Sequence, residues 1–169
     1  MGGGDGESQP PSVSNRFVLG LERDTDTCRD ERGMTECVFC AILDGRLPAL
    51  RVAENQQAIA IMDVHPVNDG HVLVIPRIHV ETLFEIPEVD LLATARLARR
   101  VAGGIRKSLA PDGLNLIQNN GAAAFQSVPH FHFHLIPRWM RDGKGFDWDL
   151  QPGDPVRLRL LAQRIRGAL

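Results

Sequence analysis

The chain has 169 residues, 43% of them hydrophobic, which is apolar material for one compact domain of ordinary size. Nineteen basic residues against 21 acidic leave a net charge of -2, and this excludes an overall field that would draw the protein to nucleic acid or to an anionic membrane. No apolar run of about 18 residues occurs, no signal-peptide core opens the chain, and three cysteines make no disulfide framework, so a soluble protein of a reducing, cytoplasmic compartment is expected.

Residues 1–33 are rich in Gly, Ser, Asp and Pro, with one brief apolar stretch at Phe17-Val18-Leu19. Such a segment buries too little surface to offset its ordering entropy, so it reads as a disordered extension, with Cys28 an unpaired thiol inside it. Met34 is then a natural start for a folded domain spanning 34–169, whose core covers about 37–138.

Cys37-Val38-Phe39-Cys40-Ala41-Ile42-Leu43 suits a short helical turn, stopped by Asp44-Gly45 and Pro48. Arg51 to Glu54 and Ala58 to Asp63 read as two strands of a hairpin, and His71 to Ile75 as a third strand covered on both faces and ended by Pro76. Pro87 to Ala110 is the one long helix. Leu91, Ala95, Ala98, Ala102, Ile105 and Leu109 give it a core-facing stripe in steps of three and four, and Arg96, Arg99, Arg100 and Arg106 form its solvated face. Gly103-Gly104 costs about 1 kcal/mol per glycine relative to alanine, which implies fraying or a close approach by another element. Pro111-Asp112-Gly113 turns the chain into a fourth strand, Leu114 to Gln118, and Asn119-Asn120-Gly121 opens a loop of small residues. Beyond Arg138 a loop carries Trp139, Phe146 and Trp148, and a basic helix begins near Pro155. This order of elements predicts an α+β fold, an antiparallel sheet with helices packed on it.

The most informative stretch is Pro129-His130-Phe131-His132-Phe133-His134-Leu135-Ile136-Pro137. Histidine alternates with bulky apolar residues, the period of a half-buried strand, which places three imidazoles on one face and Phe131, Phe133 and Leu135 on a core-facing floor. At about 3.3 Å per residue, neighbouring histidines stand roughly 7 Å apart and the outer pair roughly 13 Å apart. A metal bonded to all three would need each nitrogen within about 2.1 Å, so a three-histidine metal site is disfavoured. A His-x-His pair of a barrel hydrolase belongs to chains of about 250 residues, longer than this one.

From His130 to Ile136 the chain resembles the signature of the histidine-triad (HIT) family of nucleotide hydrolases and transferases, and the likeness runs from Cys37 to about Arg138. The resemblance implies a five-stranded antiparallel sheet packed with one long helix and shorter helices, and a homodimer built through the long helix and the strand beside the triad. It implies that His132 is the nucleophile toward a nucleotide α-phosphorus and that His134 binds phosphate oxygens or the leaving group. A transferase branch carries glutamine at that last position, so histidine there favours hydrolysis. Asn119, Gln126 and Ser127 match phosphate-contacting positions, Asp63 a ribose-binding one, and Phe39, Ile42, Ile61 and Val64 the lining of a base pocket, although plain core is an equally open reading of those four. His71 matches a further histidine that supports the triad, and a satisfied buried histidine describes it as well.

Cys37-x-x-Cys40 has no strand before it, so a thioredoxin-like redox motif does not fit. With His79 and His130 it makes two thiols and two imidazoles, a closed tetrahedral set for one structural Zn²⁺ per chain, and some HIT members resemble this chain in binding zinc there. His130 would then be an anchor rather than a reactant. The function implied is hydrolysis of a purine nucleoside 5′-monophosphate, AMP above all, from a phosphoramidate, an acyl-adenylate or a dinucleoside polyphosphate through a nucleotidyl-histidine intermediate. A nucleotide-binding or interaction protein of the same fold with little turnover is the alternative, and turnover of an adenosine phosphoramidate separates the two.

Overall fold

The computed structural model describes residues 37–145 and 151–169. The extension 1–33 with Cys28, the start at Met34, and Phe146 and Trp148 lie outside the described residues. In chain order the elements are α1 (Val38–Leu43), β1 (Arg51–Glu54), β2 (Ala58–Met62), β3 (Val72–Pro76), α2 (Glu88–Leu109), β4 (Gly113–Ile117), a 3₁₀ turn (Ala122–Ala124), β5 (Phe133–Arg138) and α3 (Pro155–Arg166).

The five strands form one antiparallel sheet in the order β1-β2-β3-β5-β4. Because side chains alternate across a strand, β2 and β3 feed two separate cores. Ala58, Ala60, Val72 and Val74 face α2, where they meet Leu97, Ala98, Val101, Ile105 and Leu135. Ile59, Ile61, Leu73 and Ile75 face the other way and pack under Phe39 and Ile42 of α1. The near-continuous apolar character of these two strands therefore has a direct cause, since each face has its own helix. In the register His134 stands opposite Leu73, which puts it on the α1 face.

Two expectations need correction. The histidine strand does not begin at His130. Strand β5 starts at Phe133, because the His130 N–H is donated to the Val128 carbonyl at 2.8 Å and the Phe131 N–H to the Val80 carbonyl at 2.6 Å, which takes those groups out of the ladder with β3. The buried stripe of α2 is also displaced: Thr94, Leu97, Ala98, Val101 and Ile105 are buried, whereas Ala95 and Leu109 are exposed and Leu91 and Ala102 only half-buried. Thr94 is tolerated inside because its hydroxyl donates to the Asp90 carbonyl at 2.7 Å. A polar residue thus occupied a core position that sequence periodicity had passed over.

Gly103 and Gly104 lie in an unbroken helix, and a Cβ at either would meet nothing within 4 Å. Gly70 is different. It turns the chain into β3 with φ +79°, a conformation that favours glycine, and a Cβ there would have to push aside the tip of the Leu109 side chain and press on Pro137. After β5, Arg138 grips Asp142 with two bonds of 2.7 and 2.8 Å, and Asn68 donates to the same carboxylate at 2.9 Å. That double grip fixes the path of the loop leaving β5. The terminal helix α3 starts where the sequence predicts, capped by Asp154, whose carboxylate accepts the Val156 N–H. No described helix is long and apolar enough to cross a membrane.

Candidate active site and metal centre

The three triad histidines have three different sets of partners. His130, fully buried, donates Nε2–H to the carbonyl of Pro76 at 3.0 Å. A neutral imidazole that donates from one nitrogen accepts at the other, so Nδ1 keeps its lone pair. That nitrogen faces Cys37 Sγ at 3.4 Å, Cys40 Sγ at 3.7 Å and His79 Nδ1 at 3.2 Å.

His132 has the opposite arrangement. Its Nδ1–H is donated to the backbone carbonyl of His130 at 2.7 Å, which leaves Nε2 with a free lone pair. The edge of Phe39 closes over its ring, the centroids 5.1 Å apart and the planes at 75°; burying a phenylalanine stabilises by about 1.5–3 kcal/mol, so this wall is firmly held. Burial lowers the pKa of His132, with its backbone hydrogen bond and Asp63 opposing the shift. The imidazole is therefore neutral, as a nucleophile must be.

His134 completes a chain of contacts reaching back to β2. Its Nδ1 lies 3.0 Å from Nε2 of His71, and His71 Nδ1 lies 3.2 Å from both the Val67 N–H and Oδ2 of Asp63. When His71 Nδ1 accepts from Val67, its Nε2–H is donated to His134 Nδ1, and the remaining proton of His134 sits on Nε2. His132 then offers a lone pair where His134 offers a donor. Their ring centroids are 4.7 Å apart, closer than the 7 Å spacing expected of neighbours on a strand, because His132 precedes the paired residues and its ring can lean inward. Burial first, then the nearby His132 and His71, bring His134 down to about 4.

Cys37, Cys40, His79 and His130 each offer one ligand atom, all within 4.8 Å of one another. A tetrahedral ion bonded at about 2.3 Å to sulfur and about 2.05 Å to nitrogen needs edges of about 3.4 Å between nitrogens and about 3.5 Å between nitrogen and sulfur. The separations are 3.2 Å between the two nitrogens and 3.3, 3.4 and 3.7 Å from nitrogen to sulfur. Burial and then the neighbouring Cys37 push the Cys40 thiol up to about 11, so a Cys40 thiolate here requires a cation beside it. Donor set and spacing fit a closed tetrahedral metal centre. His130 belongs to that centre by its ring and to the His132 site by its carbonyl.

The remaining candidates are distributed as follows. Phe39, Ile42 and Ile61 are buried in the α1 core, while Val64 is 76% exposed beyond the end of β2. Asp63 accepts the His65 N–H at 2.8 Å and faces His71. Asn119 and Ser127 stand at the two ends of the loop before β5, Ser127 exposed and Asn119 reaching the Phe125 carbonyl at 3.5 Å. Gln126 is committed to holding that loop, since it accepts the Gly121 N–H and donates to the carbonyls of Glu81 and Val128. Two contributors had no sequence signal at all, the carbonyl of Pro76 and the N–H of Val67, because any residue supplies them.

Comparison with known proteins agrees with this geometry. The HIT domain family model matches residues 44–140. The adenosine 5′-monophosphoramidase hnt1 of Schizosaccharomyces pombe is 34% identical over 130 residues, covering 76% of this chain and 95% of that protein. The crystal structure of a HIT-family member from Bacillus subtilis superposes with a TM-score of 0.75 at 35% identity, over 79% of this chain and 97% of the other. A zinc-bound histidine triad family protein from Mycobacterium smegmatis superposes with a TM-score of 0.63 at 37% identity, over 79% and 98%. With a family model over more than half its length and a fold to match, this chain belongs to the HIT family.

Proposed function

We propose that the protein hydrolyses a nucleoside 5′-phosphoramidate, releasing AMP and an amine, through a nucleotidyl intermediate on His132. The observation that carries the proposal is the 2.7 Å hydrogen bond from His132 Nδ1 to the His130 carbonyl, which aims an unprotonated Nε2 at the substrate. Nε2 bonds to the α-phosphorus as the phosphorus–nitrogen bond breaks, and the departing nitrogen takes its proton from solvent water and leaves as the neutral amine, while the Nε2–H of His134 donates to a phosphate oxygen. Water then attacks phosphorus, the P–Nε2 bond breaks, and the water's proton returns to solvent. Asn119 and Ser127 donate to the phosphate oxygens, Asp63 holds the ribose hydroxyls, and Phe39, Ile42, Ile61 and Val64 border the base. The choice of amide over acyl-adenylate or dinucleoside polyphosphate is supported by the phosphoramidase relative.

A structural zinc at Cys37, Cys40, His79 and His130 belongs to the same proposal, supported by the tetrahedral spacing and by the zinc-bound relative. It would neutralise the two thiolates and fix the His130 ring. The protein is further proposed to be a cytoplasmic homodimer. An apolar groove of about 620 Å³ along α2, lined by Val52, Met62, Val72, Val101 and Ile105 among others, and the exposed Leu114 and Leu116 of edge strand β4 support the pairing.

The test is mass spectrometry of protein quenched during turnover of an adenosine phosphoramidate. A nucleoside monophosphate on the peptide containing His132 is expected; an adduct on another residue overturns the assignment.

A further inference from the structure

Between Asn119 and Ser127 the loop carries a residue that phosphate chemistry does not need. Phe125 has φ 61° and ψ 31°, the left-handed region that glycine and asparagine occupy easily and bulky side chains do not. Its ring gains no burial in return, being 87% exposed. Strain of this kind survives only where the surroundings over-determine it, and it clusters at ligand sites.

The surroundings do over-determine it. The Gln126 side chain accepts the Gly121 N–H at 2.7 Å and donates to the Glu81 carbonyl at 2.7 Å, and the Leu83 N–H is donated to Asn120 Oδ1 at 2.7 Å. These bonds splice the loop to the segment after His79, and that segment presents Phe84, 86% exposed. Two uncovered phenylalanines therefore stand on two loops bonded to each other, beside the residues assigned to the phosphate. Base, ribose and phosphate each have candidate contacts elsewhere in the site. Among the described residues none has been assigned to the substituent that the leaving nitrogen carries.

We infer that Phe125, with Phe84 on the loop bonded to its own, is a specificity-determining rest for the leaving group, and that it favours amines bearing an aromatic or large apolar substituent. The inference rests on the nucleotidyl-transfer reading of the site. Its energetic source is contact between apolar surfaces, so the effect is a preference between substrates and not a contribution to the chemical step.

The experiment compares two adenosine 5′-phosphoramidates, of benzylamine and of ammonia. In Phe125→Gly the ratio of kcat/KM values, benzylamide over ammonia amide, should fall about 10-fold, through KM, whereas Phe125→Tyr should keep it. Phe84→Ala should lower the ratio less. Phe125→Gly relieves backbone strain, so its melting temperature should not drop, and misfolding cannot imitate the result. Equal losses on both substrates, or an unchanged ratio because the rings serve a protein partner, overturn the inference. The same ratio, taken as equilibrium dissociation constants in His132→Ala protein, decides the matter without turnover. A wild type that binds both amides and cleaves neither would sink the hydrolase reading alone.

Discussion

The backbone carbonyl of His130 accepts the Nδ1–H of His132 at 2.7 Å while the His130 ring faces two cysteines and His79. One residue thus orients the proposed nucleophile with its main chain and joins the Cys/His cluster with its side chain. The tautomer that leaves His132 Nε2 unprotonated is set by a group that no side-chain substitution at His130 removes directly, only displaces.

His132→Ala should abolish turnover, because neither neighbour can replace it: His130 Nδ1 lies in the metal centre and His134 Nδ1 is held by His71. AMP affinity, measured by calorimetry, should change by less than about tenfold, since the groups assigned to ribose and phosphate remain. Near-normal turnover would show that the nucleophile lies elsewhere.

His134→Ala should slow the reaction by about 10²- to 10³-fold without silencing it, as removal of one transition-state donor typically does. The loss should not depend on the basicity of the leaving amine, because the Nε2–H stays with His134 and stabilises a phosphate oxygen. A loss that grows with amine basicity would assign His134 to proton delivery and not to phosphate binding.

Purified protein should contain about one zinc per chain. Cys40→Ser should lose the metal and melt at a lower temperature, because metal binding contributes to the folding free energy of such a site. Turnover should fall with it, although no ligand touches substrate, since release of His130 moves the carbonyl that orients His132. Metal-free protein of unchanged melting temperature would reduce the four residues to neighbours.

Stability should decline with acidity over a defined window. His134 titrates at about 4 in the fold against an ordinary 6.5, chiefly through burial. The folded value is the lower one, so the unfolded chain takes up the proton first as pH falls. The stability tied to neutral His134 is complete above pH 6.5, drains away between 6.5 and 4, and changes no further below. Burial also lowers His130, to about 4, and His71 and His132, so urea midpoints should trace a decline shared by four imidazoles, and His134→Gln should make it shallower without removing it; an unchanged slope would show that His134 contributes nothing.

Much of this was legible in the chain because its signals are local. The near-continuous apolar runs of β2 and β3, the Asp154-Pro155 start of α3 and the Cys-x-x-Cys turn each depend on a few adjacent residues. The start of β5 was not legible, since it depends on Phe131 meeting Val80, some 50 positions earlier in the chain. The stripe of α2 was misplaced by one turn face because Thr94 satisfies its own hydroxyl within the helix and so behaves as core. The partners of the three histidines were only partly legible. Their equal spacing shows one shared face, whereas His130 and His132 are held by main-chain carbonyls that leave no trace in residue type, and His134 by the distant His71 ring.

The four-residue cluster has a consequence for how the polypeptide is made. Its members lie at positions 37, 40, 79 and 130, and the Cys37–His130 contact spans 93 residues. During synthesis the β1–β2–β3 meander can close from neighbouring segments, but the cluster lacks its fourth member until His130 leaves the ribosome. His132, the proposed nucleophile, emerges two residues later, at almost the same moment. A nascent chain therefore carries a partial thiol cluster for most of its elongation, and closure of the four-residue cluster and orientation of the His132 ring become a single late event.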